Sequence, residues 1–287
     1  MSRVLEAALG RYRHTLPLYE GKVGLPGTAF HFNEIAPISR AFAPMVRAQR
    51  FDVSEMAMAT ALQAVAYRKP ITVLPIAVAA RFQEAALLCR ADSTMRGPED
   101  LKGRRIGVRA YTQTTVMWLR GILADDYGIE PSMLRWTSFE DAHVAEYADP
   151  AWVERAPAGA NLLDLLRSGA IDAAIVGNDM PSDPAFRTLY ADPAAAGARF
   201  RATHGFMPVN HLIVVKTALV EAEPDLPAAL VRLFEQSRDA APPGGPAAPP
   251  IGPDAVLPSW LLAARYCLAQ GLLPHAVGAS ALWGARA

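Results

Sequence analysis

One stretch limits what this chain can fold into: residues 101–136, LKGRRIGVRAYTQTTVMWLRGILADDYGIEPSMLRW. It reads as turn, strand, loop, helix, turn and second strand. Lys102-Gly103 punctuates a short β-like run over 105–108, and a polar loop follows with Tyr111, Thr112, Gln113 and Thr114 in succession. From Thr115 onward Val116, Leu119, Leu123 and Tyr127 recur at helical spacing, and Gly128 supplies the stop. A Thr-rich loop entering a helix presents hydroxyls and free N–H groups at the positive end of the helix dipole. That arrangement suits a carboxylate or phosphate. An ordinary β–loop–α unit capped by Thr satisfies the same pattern.

At 287 residues the chain suffices for one large domain or two lobes, and 52% hydrophobic residues can fill a large core. Its 28 basic and 28 acidic residues cancel, with no dense basic stripe, which argues against nucleic acid as a partner. Cys89 and Cys267 lie far apart with no CxxC partner, so buried free thiols are expected. No His/Cys/Asp/Glu cluster has metal-ligand spacing, and no metal is expected. The opening MSRVLEAALGRYRH lacks a secretory h-region with a cleavage site. No apolar run approaches the roughly 18 residues that cross a bilayer. The expectation is a soluble, cytoplasmic protein with no membrane partner; a homo-oligomer stays open.

Strands alternate with helices along the chain, so the class is α/β. Strands are expected over 3–9, 30–35, 51–53, 71–78, 85–90, 171–176 and 212–216. Helices are expected over 37–49, from Ser54 to about Tyr67, and over 161–169, 227–241, 257–268 and 275–283. Tyr12, Arg13, His14 and Thr15 make a polar-aromatic loop after the first strand, where α/β folds often reach a ligand. Ser54 is expected as a helix N-cap, with Glu55 complementing the dipole. Arg81 and Glu84 fall in a loop after the fourth strand, and Asn178 follows the strand at 171–176. The run PPGGPAAPPIGP at 242–253 can only be a surface loop. Met56, Met58 and Trp118 read as core, and Arg120 as a structural ion-pair residue or a ligand clamp. Two crossover segments divide the chain into lobe 1 (1–97 and 206–287) and lobe 2 (98–205). The polar loops at 12–15, 54–55, 81, 111–115, 178 and 211 are expected to converge on a cleft between them.

Several segments carry a resemblance: GRYRHT (10–15), FDVSEMAM (51–58), LKGRRIGVRAYTQTTVMWLRGILADDYGI (101–129), LLRSGAIDAAI (165–175) and THGFMPVNHLIVV (203–215). In these the chain resembles the 4,5-dihydroxyphthalate decarboxylase family, and the resemblance spans nearly the whole sequence. It implies a two-lobed type 2 periplasmic-binding-protein-like fold with a central inter-lobe cleft. It implies a decarboxylase of a hydroxylated aromatic acid that releases CO2 and needs no organic cofactor. The competing reading on the same fold is a non-catalytic binding protein for a small carboxylate, of the transporter solute-receptor class. His211 matches the family's histidine and is the expected proton donor, with His14 as a second catalytic candidate. Thr114 and Thr115 are expected to anchor a carboxylate, and Arg13 or Arg81 to clamp one. Tyr12, Ser54, Glu55, Arg109, Tyr111, Thr112, Gln113, Asn178 and Asn210 complete the expected ligand contacts. The sequence departs from the family at 78–84, VAARFQE, where a basic Arg-His pair is replaced by Gln83-Glu84. It departs again at Arg109-Ala110-Tyr111, where a carboxylate is lost and a cation gained.

Overall fold

A computed structural model describes residues 3–177 and 180–285. The strands, in chain order, are β1 (Arg3–Ala8), β2 (Thr28–Phe32), β3 (Val53–Ala57), β4 (Ile71–Ala80), β5 (Leu87–Arg90), β6 (Arg105–Ala110), β7 (Arg135–Glu140), β8 (Val153–Arg155), β9 (Ala173–Ile175), β10 (Phe186–Thr188) and β11 (Val209–Lys216). The helices are α1 (Leu16–Tyr19), α2 (Phe42–Ala48), α3 (Met58–Ala66), α4 (Thr114–Tyr127), α5 (Leu162–Ser168), α6 (Pro193–His204), α7 (Thr217–Ala222), α8 (Leu226–Asp239) and α9 (Pro253–Ala269). This is an α/β chain, as the alternation implied.

The chain divides into two compact units. Unit 1 comprises Met1–Ala80, Val209–Ala264 and Pro274–Ala287. Its five-stranded sheet has the order β2-β1-β3-β11-β4, with β1 parallel to β2 and β3, and β11 antiparallel to both β3 and β4. The run ITVLPIAVAA makes β4 because it is apolar almost throughout and half β-branched, which suits a strand covered on both faces. Helix α8 lays Leu226, Leu230, Leu233 and Phe234, at i, i+4, i+7 and i+8, onto Leu5, Val53, Ile76 and Ile213. The outer edge of β4 is covered: Ala77 donates to the Pro250 carbonyl, Gly252 to Pro75 and Trp283 to Val73. That demand for backbone partners explains why 275–283 is not the expected helix. The segment keeps only a 3-10 turn at Ala279–Ala281 and bridges β4 at Leu282.

Unit 2 comprises Arg81–Pro208 and Arg265–Leu273. Its six-stranded sheet runs β10-β5-β9-β6-β7-β8, parallel across β9-β6-β7-β8 and antiparallel where β5 and β10 add to it. Gly128 takes the left-handed conformation (φ 61°) that ends α4. Two boundaries differ from the expected division. Residues 81–97 go with unit 2 because β5 pairs with β9 and β10. Residues 265–273 do so because Tyr266 donates to Asp125 and Gln270 donates to the Met117 carbonyl. A third correction concerns 51–60. Ser54 and Glu55 lie inside β3, all five residues of which are buried, and α3 begins only at Met58. Pairing with β1 and β11 on both sides overrides the local capping signal.

Gly121 shows how closely the 265–273 segment sits on α4: a Cβ there would lie 2.1 Å from the ring of Tyr266. That ring is fixed by its hydroxyl on Asp125 (2.8 Å) and by edge-on packing with Trp118. Gly121→Val should therefore destabilise the fold by about 3 kcal/mol, the upper end of overpacking costs. Denaturant unfolding gives the loss, and amide exchange should quicken first in 265–273; unchanged stability would contradict the close approach.

Candidate active site

Unit 1 holds a buried polar cluster built by three segments. The loop after β1 is closed by Thr15, whose hydroxyl accepts from the Tyr12 amide (2.8 Å) and donates to the Gly10 carbonyl (2.7 Å). β3 contributes Glu55 and β11 contributes His211. The antiparallel register opposes Glu55 to Ile213 and His211 to Ala57, so Glu55 and His211 are diagonal neighbours on one sheet face. The Glu55 carboxylate is fully buried, and three donors converge on it. Oε2 accepts from the Gly10 amide (2.8 Å), while Oε1 accepts from the Tyr12 hydroxyl (2.6 Å) and pairs with His211 Nδ1 (2.6 Å). Phe42 meets the His211 ring edge-on at 5.2 Å. The His211 side chain keeps 15% exposure.

Tyr12 is fixed from both sides. It stacks on His14 at 5.4 Å, and Gly10 leaves room for its ring, since a Cβ there would fall 2.6 Å from it. Burial, reinforced by the Glu55 charge, pushes the Tyr12 phenol far above its ordinary range, so it remains a donor. His14 Nε2 faces the Val78 carbonyl at 3.1 Å. A carbonyl only accepts, so this nitrogen carries the hydrogen, and the ring packs on Tyr12. Arg13, expected to clamp a carboxylate, donates instead to the carbonyls of Pro242 and Pro246 in the Pro-rich loop. Ser54 is fully buried with its hydroxyl on the Glu55 carbonyl (2.9 Å), so it neither caps a helix nor offers a ligand contact. Asn210 is buried within β11.

Unit 2 holds a different arrangement. Helix α4 starts at Thr114 after Gln113, whose side chain does not cap it. Thr112, Thr114 and Thr115 are all buried. Arg81 donates from Nη2 to the Thr115 hydroxyl at 2.9 Å, and burial lowers its affinity for its proton. Among the described residues no carboxylate pairs with Arg81, its Nε is buried without a partner, and so is Gln113 Oε1. The amide of Gln113 lies beside Gly177, where a Cβ would come within 3.2 Å. Asn178, the next residue expected in the site, lies outside the described residues.

Other polar residues of unit 2 lie within its own packing and ion pairs. Tyr111 is core: its ring lies 3.6 Å under the Arg120 guanidinium and edge-on to Trp136. Arg120 is itself buried, donating to the Tyr111 carbonyl and to Gln270, both at 2.9 Å, which assigns it a structural role. Arg109 Nε lies 3.5 Å from a Glu140 carboxylate oxygen on the neighbouring strand β7, a partly exposed ion pair. Gln83 and Glu84 are buried: Gln83 donates to the Arg81 carbonyl, and burial raises the Glu84 carboxyl.

His211 belongs to unit 1, and Thr114 and Thr115 to unit 2. What sequence reasoning missed is the service Glu55 gives to His211 and Tyr12. One signal was present: a lone carboxylate in the otherwise uncharged VSEMA strand. Among the described residues no group of three or more His, Cys, Asp or Glu could hold a metal ion, and no helix is long and apolar enough to cross a membrane.

Comparison with known proteins adds three findings. A family profile described as "ABC transporter, phosphonate, periplasmic substrate-binding protein" matches residues 35–233. Two relatives are named 4,5-dihydroxyphthalate decarboxylase. One, from Comamonas testosteroni, is 30% identical over 256 residues, covering 83% of this chain and 75% of the relative. The other, from Pseudomonas putida, is 28% identical over 207 residues, covering 68% and 80%. Among solved structures, the alkanesulfonate-binding protein SsuA from Xanthomonas axonopodis pv. citri, bound to MOPS, superposes with a TM-score of 0.62 at 18% identity over 98% of each chain. This likeness establishes the periplasmic-binding-protein fold.

Burial holds the His14 imidazole below its ordinary value of 6.5, against smaller opposing effects of Val78 and Glu55 and with Arg13 adding to the lowering. As pH falls through about 6.5 the unfolded chain therefore takes up a proton before the folded chain does. The contribution is complete above that pH and is lost as pH falls toward the folded value. His14→Gln should flatten the pH dependence of unfolding free energy in the window just below 6.5. Equal slopes for both proteins would remove His14 as the source.

Proposed function

The chain belongs to the phosphonate-type periplasmic substrate-binding family and, on that fold, to the 4,5-dihydroxyphthalate decarboxylase family; from that premise we propose that it is a carboxy-lyase acting on a hydroxylated aromatic acid of the 4,5-dihydroxyphthalate type. The observation that carries the chemical step is His211, held by Nδ1 on the buried Glu55 with Nε2 as its remaining nitrogen. The names of the two relatives support the substrate class.

Exchange of an aromatic carboxylate for hydrogen consumes one proton and releases CO2. The ring carbon bearing the carboxylate takes a proton, and the electrons of the broken C–C bond return to the ring. A hydroxyl para to that carbon donates the density that makes it basic enough. In this reading the His211 imidazolium delivers the proton from Nε2 and solvent restores it. Within unit 2, Arg81 and Thr115 form an arrangement suited to a carboxylate: a half-buried guanidinium that no carboxylate pairs with among the described residues favours an anion.

A second reading, binding without turnover, draws on the family profile and on this same anion-favouring arrangement, which needs no chemistry to act. Incubation with 4,5-dihydroxyphthalate separates the two. The first predicts CO2 and 3,4-dihydroxybenzoate; the second predicts saturable binding with the ligand recovered intact. Under the first reading His211→Ala should lower kcat by about 10²- to 10⁴-fold with little change in Kd. Thr115→Val should weaken binding by about ten-fold through loss of one hydrogen bond beside the guanidinium. Turnover undiminished in the His211 variant would remove that residue from the mechanism.

A further inference from the structure

We infer that Glu55 is the positioning residue of the reaction, a carboxylate that never meets substrate and acts by fixing which nitrogen of His211 does. The inference rests on the decarboxylase reading and assigns within it a role that the sequence pattern had placed at the ligand.

Glu55 cannot touch a ligand, because its side chain has no exposure and both oxygens are occupied by protein donors. A buried carboxylate persists only where donors replace its water, and here the Gly10 amide, the Tyr12 hydroxyl and the His211 ring do so. A carboxylate only accepts. The nitrogen facing it, Nδ1, therefore carries a hydrogen in both charge states of the imidazole, and Nε2 is left as the atom whose proton can move. This is the division of labour by which a carboxylate orients a histidine in other acid–base sites. In the proton-transfer step Nε2–H breaks, its electron pair stays on Nε2 and the proton joins the ring carbon. The product is the Nδ1–H tautomer that Glu55 already favours, and a proton from solvent re-enters at Nε2. The step thus begins and ends in arrangements that one hydrogen bond holds.

Tyr12 completes the device. Its hydroxyl reaches the same Oε1 that His211 uses, at the same 2.6 Å. Its ring cannot drift, with His14 stacked on one side and Gly10 pressed against it. The high cost of ionising this phenol keeps it a donor, so it steadies the carboxylate without competing for the proton. Packing alone gives no account of the choice of residue. An apolar side chain at position 55 would fit β3, whose neighbours Val53, Met56 and Ala57 are apolar, at no desolvation cost.

The test uses full-length, 15N-histidine-labelled protein, with the His211 signals assigned by their loss in His211→Gln. In the wild type they should report a protonated Nδ1, and Glu55→Gln should shift the ring toward the other tautomer. Kinetics with 4,5-dihydroxyphthalate should show kcat lowered by about 10²- to 10⁴-fold in Glu55→Gln, as when an orienting carboxylate is amidated elsewhere, with KM within about three-fold of wild type. Glu55→Asp, which keeps the charge, should restore the Nδ1–H signal and part of kcat. Should Glu55→Gln fail to fold, Tyr12→Phe takes its place: it keeps the His211 bond, removes one donor and should cost about ten-fold in kcat with KM unchanged. Unaltered His211 signals or unaltered kcat in the folded Glu55→Gln variant, or unaltered kcat in Tyr12→Phe when that variant stands in, would overturn the positioning role while leaving the decarboxylase reading in place. A wild type that turns over no hydroxylated aromatic acid would defeat that reading, and Glu55's part in the reaction with it.

Discussion

A carboxylate with no access to water sits at the centre of unit 1, and the local structure is arranged around satisfying it. Glu55 draws its three donors from three parts of the chain: Gly10 and Tyr12 on the loop after the first strand, and His211 on the last strand. Each donor depends on the others. Loss of the Tyr12 hydroxyl leaves Oε1 on His211 alone; loss of Glu55 leaves three part-buried donors without their acceptor. The loop is closed by Thr15 and lined by His14, so its conformation is set by the same network that holds His211. A charge in a buried strand is therefore the reason for the geometry around it.

Unit 2 uses buried arginine in two contrasting ways. Arg120 is enclosed by Tyr111 and Trp136 and bonded to the Tyr111 carbonyl and Gln270, and these contacts join α4 to the 265–273 segment. Arg81 is less enclosed: one bond to Thr115, a buried Nε without a partner and no carboxylate nearby among the described residues. The first guanidinium is consumed by the fold. The second retains capacity for an anion at a helix N-terminus. The same distinction disposes of Arg109 and Arg13, which sequence alone placed at a ligand and which the structure pairs with Glu140 and with two proline carbonyls. Gln83 and Glu84, beside Arg81 in sequence, supply it with no ion-pair partner among the described residues. Both side chains are buried, and burial raises the Glu84 carboxyl above its ordinary range.

Much of this was legible in one dimension. The β6–α4 unit, its Thr-rich entry and its Gly128 stop follow from periodicity and glycine chemistry, which are local. So do the helix α5 with its end at Gly169, and the apolar run of β4. The core status of Trp118, Met56 and Met58 follows too. Ser54-Glu55 failed as a helix start for an equally physical reason. N-capping is worth about 1 kcal/mol, whereas burying Val53, Met56 and Ala57 between two strands gains several times that. The helix expected at 275–283 failed because a strand edge nearby needed backbone partners more than that segment needed its own.

Residue type and spacing by themselves determined that this is an α/β chain and that a polar turn opens α4. They did so because secondary structure and anion-favouring turns depend on side chains only a few positions apart. Tertiary structure alone decided that Glu55 meets His211 across 156 residues of chain, that Tyr12 shares its oxygen, and that Arg81 rather than Arg13 or Arg109 keeps an unmatched charge. Those outcomes depend on strand register and on which groups lose their water, and neither quantity exists until the strands have paired.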